Sequence, residues 1–144
     1  MITGFNHTSF TVGDLDAAVA FWGALGFSPG SVGPRSGEWQ AKVTGVPGAG
    51  LRVAHLFGHG HHMEFIQYLA GAGAAPPLQP NMPGVGHVCL EVADIGEAWQ
   101  RLLALGATPQ GEITEVKGGG AAACRAGYIR DPNGIIVELL ELQP

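Results

Sequence analysis

The chain carries one structural unit twice, and this repetition limits the folds open to it more than any other feature. Set one above the other without a gap, FNHTSFTVGDLDAAVAFWGALGF and VGHVCLEVADIGEAWQRLLALGA coincide at an offset of 80 residues. His7 falls on His87, Val12 on Val92, Asp14 on Asp94, and Leu25-Gly26 on Leu105-Gly106. Further along, HMEFIQYL coincides with IVELLEL at an offset of 74, which puts Glu64 on Glu138. Each copy is about seventy residues long. The expected organisation is a single domain made of two modules, 1–69 and 85–144, joined by a linker at 70–84. That linker, AGAGAAPPLQPNMPG, is rich in Pro, Gly and Ala and has little capacity for regular structure.

Both copies give the same order of elements. Phe5 to Val12 alternates and is β-branched, as a strand requires, and Val85 to Val92 matches it. Asp14 and Asp94 are suited to cap the helices that follow. Leu15, Val19, Trp22 and Leu25 make the expected buried stripe of the first helix, and Ile95, Ala98, Trp99 and Leu102 that of the second. Gly26 and Gly106 are placed to close them. Strands are expected at Leu51–Phe57, His62–Leu69, Ala121–Arg130 and Ile135–Leu142, each successive two forming a hairpin. The turn DPNG, Asp131 to Gly134, joins the last two. Phe27–Ser31 and Thr108–Ile113 can supply one more strand to each copy, and Trp39–Thr44 a short helix. Each unit is thus strand, helix, then about three strands, an α+β chain.

The repeat places a histidine in the first strand of each copy and a glutamate in the last. His7, Glu64, His87 and Glu138 are therefore four candidate ligands from two symmetric pairs. Two imidazoles and two carboxylates suit one borderline divalent cation, and the two negative charges balance it. If the two sheets face each other about a pseudo-twofold axis, all four can converge. Side chains two apart on a strand share a face, so Cys89 and Glu91 lie with His87, while Val88, Leu90 and Val92 point toward the helices. Ile136 and Leu140 flank Glu138 on its face. The histidine-rich stretch GHGHHMEFIQYL adds His59 and His61 in a turn, where exposure is expected, and His62 two residues before Glu64. His62 is a candidate for a supporting or relay role beside the site.

With these motifs in place, the paired NHTSFTVGDLDAAVAFW…LGF and GHVCLEVADIGEAWQRLLALGA segments, together with RDPNGIIVELLE, resemble the vicinal oxygen chelate superfamily. That group includes glyoxalase I, bleomycin resistance proteins, extradiol dioxygenases and methylmalonyl-CoA epimerase. The resemblance covers nearly the whole chain. It implies paired βαβββ modules forming a cupped mixed sheet around one divalent metal (nickel, cobalt, zinc, manganese or iron). It also implies that His7, Glu64, His87 and Glu138 hold that metal, in an order similar to glyoxalase I. The chemistry it implies is chelation of vicinal substrate oxygens and stabilisation of an enolate, with Glu64 or Glu138 moving the proton. A lyase or isomerase fits this ligand set. Alternatives are an extradiol ring-cleaving dioxygenase, an epimerase of the methylmalonyl-CoA type, and a ligand-sequestering resistance protein. Lys117, in a VKGGG segment similar to the glycine-rich loop of glyoxalase I, is a candidate substrate contact, as are Cys89, His62 and Arg52. The family further implies a homodimer.

Composition narrows the partners. Lys and Arg total 7 against a net charge of −5, scattered along the chain, so no basic stripe points to nucleic acid. The chain is 46% hydrophobic and 13% charged, a globular balance, yet no apolar run approaches a membrane span. MITGFNHTSF has neither a basic n-region nor a long apolar h-region, which makes the cytoplasm the expected compartment. The two cysteines, Cys89 and Cys124, are expected to be buried thiols rather than a disulfide framework. The remaining partner is a small-molecule substrate.

Overall fold

The computed structural model describes residues 1–73, 78–117 and 123–142. The chain forms two compact units, Met1–Ala74 and Ala75–Pro144, each with its own mixed sheet. In the first, β1 (Thr8–Thr11) leads into α1 (Leu15–Ala24), then β2 (Ser28–Arg35), a short α2 (Trp39–Thr44), β3 (Gly50–Gly58) and β4 (His61–Ala70). The sheet order is β1-β4-β3-β2, with β1 parallel to β4 and the other neighbours antiparallel. In the second unit β5 (His87–Glu91) and α3 (Ile95–Ala104) are followed by β6 (Thr108–Pro109), β7 (Thr114–Val116), β8 (Cys124–Arg130) and β9 (Ile136–Leu142). Here the order is β5-β9-β8-β6, with β7 also paired to β8. This is the expected α+β fold of repeated βαβββ type, with the last segment before β8 split into two short strands.

The helices begin where the sequence says they should. Asp14 adopts extended backbone angles and its carboxylate accepts from the Ala17 amide at 3.0 Å. Asp94 does the same for the Glu97 amide at 2.9 Å. Each satisfies one of the amides a helix start leaves unpaired. Gly26 and Gly106 follow the two helices, both with φ of +91°, a left-handed conformation that costs glycine little.

The sheet parity sets everything else. Along β3 and β4 the pairing of Ala54 with Phe65 and Leu56 with Met63 defines one face, and all four side chains are buried on the α1 side. Trp22 of α1 lies against Phe65, with ring centroids 5.7 Å apart. The alternate residues, His55 and Phe57 with Glu64 and His62, necessarily occupy the opposite face. In the second unit the corresponding split puts Gly127, Ile129, Val137 and Leu139 toward α3, and leaves Tyr128 and Glu138 on the other face. Gly127 leaves room for Trp99, since a Cβ there would stand 3.0 Å from the indole and 3.3 Å from the Glu112 carbonyl.

Four expectations are adjusted. The first strand starts at Thr8, not Phe5, because the ladder with β4 begins there and Phe5 is exposed. His7 therefore stands one residue before the strand. The stripe of α1 is wider than expected: Ala18 and Phe21 are buried with Leu15 and Trp22, whereas Val19 and Leu25 are half-buried. His61 is exposed as expected but is the first residue of β4, not part of the turn. The cysteines are not buried thiols: Cys89 is exposed and Cys124 half-buried, because β5 turns Cys89 away from the helix side. Residues 121 and 122, the expected start of β8, lie outside the described residues, as do 118–120 of the glycine-rich VKGGG segment.

Candidate metal and substrate site

Each unit brings together one of the two expected His–Glu pairs. In the first, β1 runs parallel to β4 with Ser9 opposite Glu64, so His7 is carried to the same edge of the sheet. His7 Nε2 stands 3.3 Å from Glu64 Oε1. In the second, Cys89 of β5 lies opposite Glu138 of β9, and His87 Nε2 stands 2.9 Å from Glu138 Oε2. The glutamates are largely shielded, at 15% and 21% side-chain exposure, and the histidines more open at 33% and 41%. That is the arrangement of carboxylates set in a sheet with imidazoles at its rim.

These gaps fit a shared cation. Two ligand atoms bound at roughly 2.0–2.2 Å to one ion, at roughly right or tetrahedral angles, lie about 3.0–3.5 Å apart. The first pair adds a stronger argument. His7 Nδ1 is 2.7 Å from Asn6 Oδ1, so that nitrogen carries the ring proton and donates it to Asn6. In the neutral ring Nε2 is then a lone pair facing a carboxylate oxygen. Two acceptors at 3.3 Å are unfavourable unless a proton or a metal ion lies between them. Among the described residues no group of three or more His, Cys, Asp or Glu is arranged to hold a metal by itself. Within each unit the donor set is one nitrogen and one oxygen, half of what a four-ligand site needs.

Two residues near these pairs carry no sequence signal of their own. His55 of β3 lies directly opposite Glu64, with its Nε2 3.7 Å from Glu64 Oε2, and its Nδ1 3.1 Å from His62 Nε2. Burial pushes the His55 pKa down against the opposing pull of Glu64, which favours the neutral ring. Tyr128 of β8 lies opposite Glu138 and its ring sits 5.1 Å from that of His87. Burial first, and the charges of Glu138 and Cys89 after it, raise its phenol pKa. A groove of about 350 Å³ opens beside Tyr128, with Gln110, Glu112 and Ala126 in its lining.

The other candidates separate clearly. His62 lies on the Glu64 face, as its spacing implies, and stacks on Phe57 with centroids 4.3 Å apart. His59 turns away: its Nε2 donates to the Leu25 carbonyl at 2.8 Å, tying the β3–β4 turn to the end of α1. Arg52 lies on the α1 side of β3, opposite to Glu64, where its guanidinium holds Asp16 at 2.9 and 3.2 Å. Lys117 is exposed and paired with Glu115 at 2.7 Å. Cys89 shares the face of Glu138, and its thiol hydrogen-bonds that carboxylate.

Partial desolvation of the thiol, the Glu138 charge, that hydrogen bond and the Glu91 charge together push Cys89 up to about 11, although the residue as a whole is exposed. A raised pKa leaves less thiolate at pH 8, partly offset by the greater nucleophilicity of each thiolate. The net expectation is a reaction with an aromatic disulfide about tenfold slower than that of free cysteine. In a metal-free Cys124→Ser background, Glu138→Gln should accelerate it by removing the Glu138 charge, the second largest of these causes. Reaction at the free-cysteine rate before Glu138 is changed would contradict the contact.

The sequence profile of the Glyoxalase/Bleomycin resistance protein/Dioxygenase superfamily matches residues 4–139. The chain belongs to this superfamily. Among solved structures it is similar to a glyoxalase family protein from Bacillus cereus, at 27% identity, over 100% of this chain and 97% of that one, with a TM-score of 0.86. A glyoxalase family protein from Enterococcus faecalis shares the fold at 19% identity, over 96% and 97% of the two chains, with a TM-score of 0.66. So does a fosfomycin resistance protein from Listeria monocytogenes, at 16% identity, 96% and 90% coverage and a TM-score of 0.63. That protein was solved with Mn(II) and 1S,2S-dihydroxypropylphosphonic acid. No curated protein matches the chain. As a superfamily member the chain has the expected fold, and among its described residues no helix is long and apolar enough to cross a membrane.

Proposed function

We propose that this protein is a divalent-metal-dependent lyase or isomerase of the glyoxalase type, acting on a small substrate with two vicinal oxygens. The observation that carries the reading is the His–Glu pair formed twice at repeat-equivalent positions, with N–O gaps of 3.3 and 2.9 Å. A surface histidine beside a glutamate is ordinary; the same two at both ends of a repeat, each closed to ligand spacing, is the pattern of a metal site built by duplication.

In this reading His7, Glu64, His87 and Glu138 hold the cation. When bound, it supplies a Lewis acid that stabilises negative charge developing on the substrate oxygens. The chain's own groups do the rest. His7 presents Nε2 because Asn6 fixes the other ring nitrogen. Glu138 is placed to take the proton from the carbon next to the substrate's vicinal oxygens, with the Cys89 thiol and the Tyr128 phenol beside it as neutral donors. Glu112 in the groove beside Tyr128 disfavours substrates that place an anionic group there. A homodimer is the assembly this reading implies.

Elemental analysis tests it. The purified protein is expected to hold nickel, cobalt, zinc or manganese in stoichiometric amount, and to turn over a member of a panel of hemithioacetals and acyl-CoA thioesters. Iron with oxygen uptake on catechols would replace this reaction by ring cleavage. A protein that takes up none of these metals, yet binds an aromatic ligand tightly, would replace it by sequestration.

A further inference from the structure

The duplication is imperfect around the two glutamates, and the imperfection is chemically one-sided. Opposite Glu64 on the neighbouring strand is His55; opposite Glu138 is Tyr128. Two residues before Glu64 is His62; two before Glu138 is Ile136. Only the first unit therefore has a run of ring nitrogens leading to its carboxylate. His62 Nε2 lies 3.1 Å from His55 Nδ1, and His55 Nε2 lies 3.7 Å from Glu64 Oε2. These contacts reach the Glu64 oxygen that does not face His7, since His7 Nε2 approaches Oε1.

We propose that His62 and His55 form a two-imidazole brace that fixes Glu64 for metal binding, with His62 Nε2–H donating to His55 Nδ1 and His55 Nε2–H directed at Glu64 Oε2. The brace rests on the metal-site reading of Glu64. Its direction follows from proton counting. A neutral imidazole has one donor and one acceptor. If His55 donates from Nε2 to the carboxylate, which can only accept, its Nδ1 must accept, and His62 must supply the proton from Nε2. The 3.7 Å gap is longer than a direct hydrogen bond, so the brace requires the Glu64 carboxylate to move toward His55 by several tenths of an ångström. Closing it would leave Oε1 as the oxygen free for the cation beside His7. Groups behind a metal ligand that hydrogen-bond it set its orientation and its affinity.

The outer ring is itself held. Phe57 stacks on His62 with an interplanar angle of 20°. Gly30 of β2 makes that position possible, because a Cβ there would stand 2.6 Å from the Phe57 ring. The sequence from Gly30 through Phe57, His62 and His55 to Glu64 is continuous packing across three strands. His55 and His62 act through Glu64 and are positioning residues.

Two measurements test the brace. In metal-free protein at alkaline pH, long-range ¹H–¹⁵N correlation spectra are expected to show both His55 and His62 protonated on Nε2. A proton on Nδ1 of either ring overturns the proposal without touching the metal-site reading. Calorimetric titration with cobalt(II), read in parallel by its visible spectrum, then compares the parent with His55→Phe and His55→Gln. Phenylalanine keeps the ring's bulk but has no nitrogen; glutamine keeps a donor near the Nε2 position. His55→Phe is expected to weaken cobalt binding by about 10–100-fold, and His55→Gln to restore most of the loss. Equal affinity in all three proteins overturns the brace alone. A parent that binds no cobalt overturns the metal-site reading, and the brace's purpose with it.

Discussion

The Glu138→Gln protein is expected to fold like its parent and to lose turnover by a factor of about 10²–10⁴, the usual contribution of a positioned general base. Glutamine has the shape of glutamate and keeps an oxygen to accept from the Cys89 thiol, but it cannot take a proton. The fold should tolerate the change because glutamine matches glutamate in size and Glu138 lies on the face of β9 away from the α3 core. Circular dichroism and the thermal midpoint check the fold, and kcat on the substrate found by the screen checks the chemistry. Full activity in this variant would remove Glu138 from the reaction. Metal affinity measured in the same protein separates its two roles. If cobalt binding survives while turnover is lost, Glu138 is the base; if both go, its ligand role dominates.

The two pairs were legible in the sequence because duplication turns a weak signal into a strong one. His7 and Glu64 are each unremarkable as single residues; their coincidence with His87 and Glu138 is what carries information. The helices were legible for a local reason, since Asp14 and Asp94 cap them and Gly26 and Gly106 end them within a few residues. His55 and Tyr128 were not legible, because their closeness to the glutamates depends on hairpin register. A shift of one residue in the β3–β4 pairing would have sent His55 to the other face. The same dependence misdirects Arg52. Its charge suggests substrate binding, but the register that brings His55 to Glu64 turns Arg52 toward Asp16 of α1. Strand parity already put Cys89 on the His87 face; its exposure was missed because thiols are usually buried.

Trp22→Ala is expected to be the most destabilising single change in the first unit, at about 3–5 kcal/mol. Trp22 is fully buried and meets Phe21, Phe27 and Phe65 with ring centroids at 5.9, 5.6 and 5.7 Å. Its edge-on contacts with Phe21 and Phe27 are the favoured aromatic geometry and add to the area buried. The cluster is not duplicated: at the same offsets the second unit has Arg101, Leu102, Ala107 and Leu139 in place of Phe21, Trp22, Phe27 and Phe65. Leu102→Ala, which removes a smaller side chain from the equivalent place, should therefore cost less. Thermal denaturation of the two variants beside the parent measures the difference, and for a chain of this length each kcal/mol lowers the midpoint by about 2–4 °C. Equal losses would mean that the aromatic cluster adds nothing beyond ordinary burial. Phe65 also links this core to the site, because it precedes Ile66 and follows Glu64 on β4 with its side chain on the α1 face. A cavity at Trp22 removes the packing that holds Phe65, so the Trp22→Ala protein should also bind cobalt(II) more weakly at temperatures where it remains folded, without any change to a residue of the metal site.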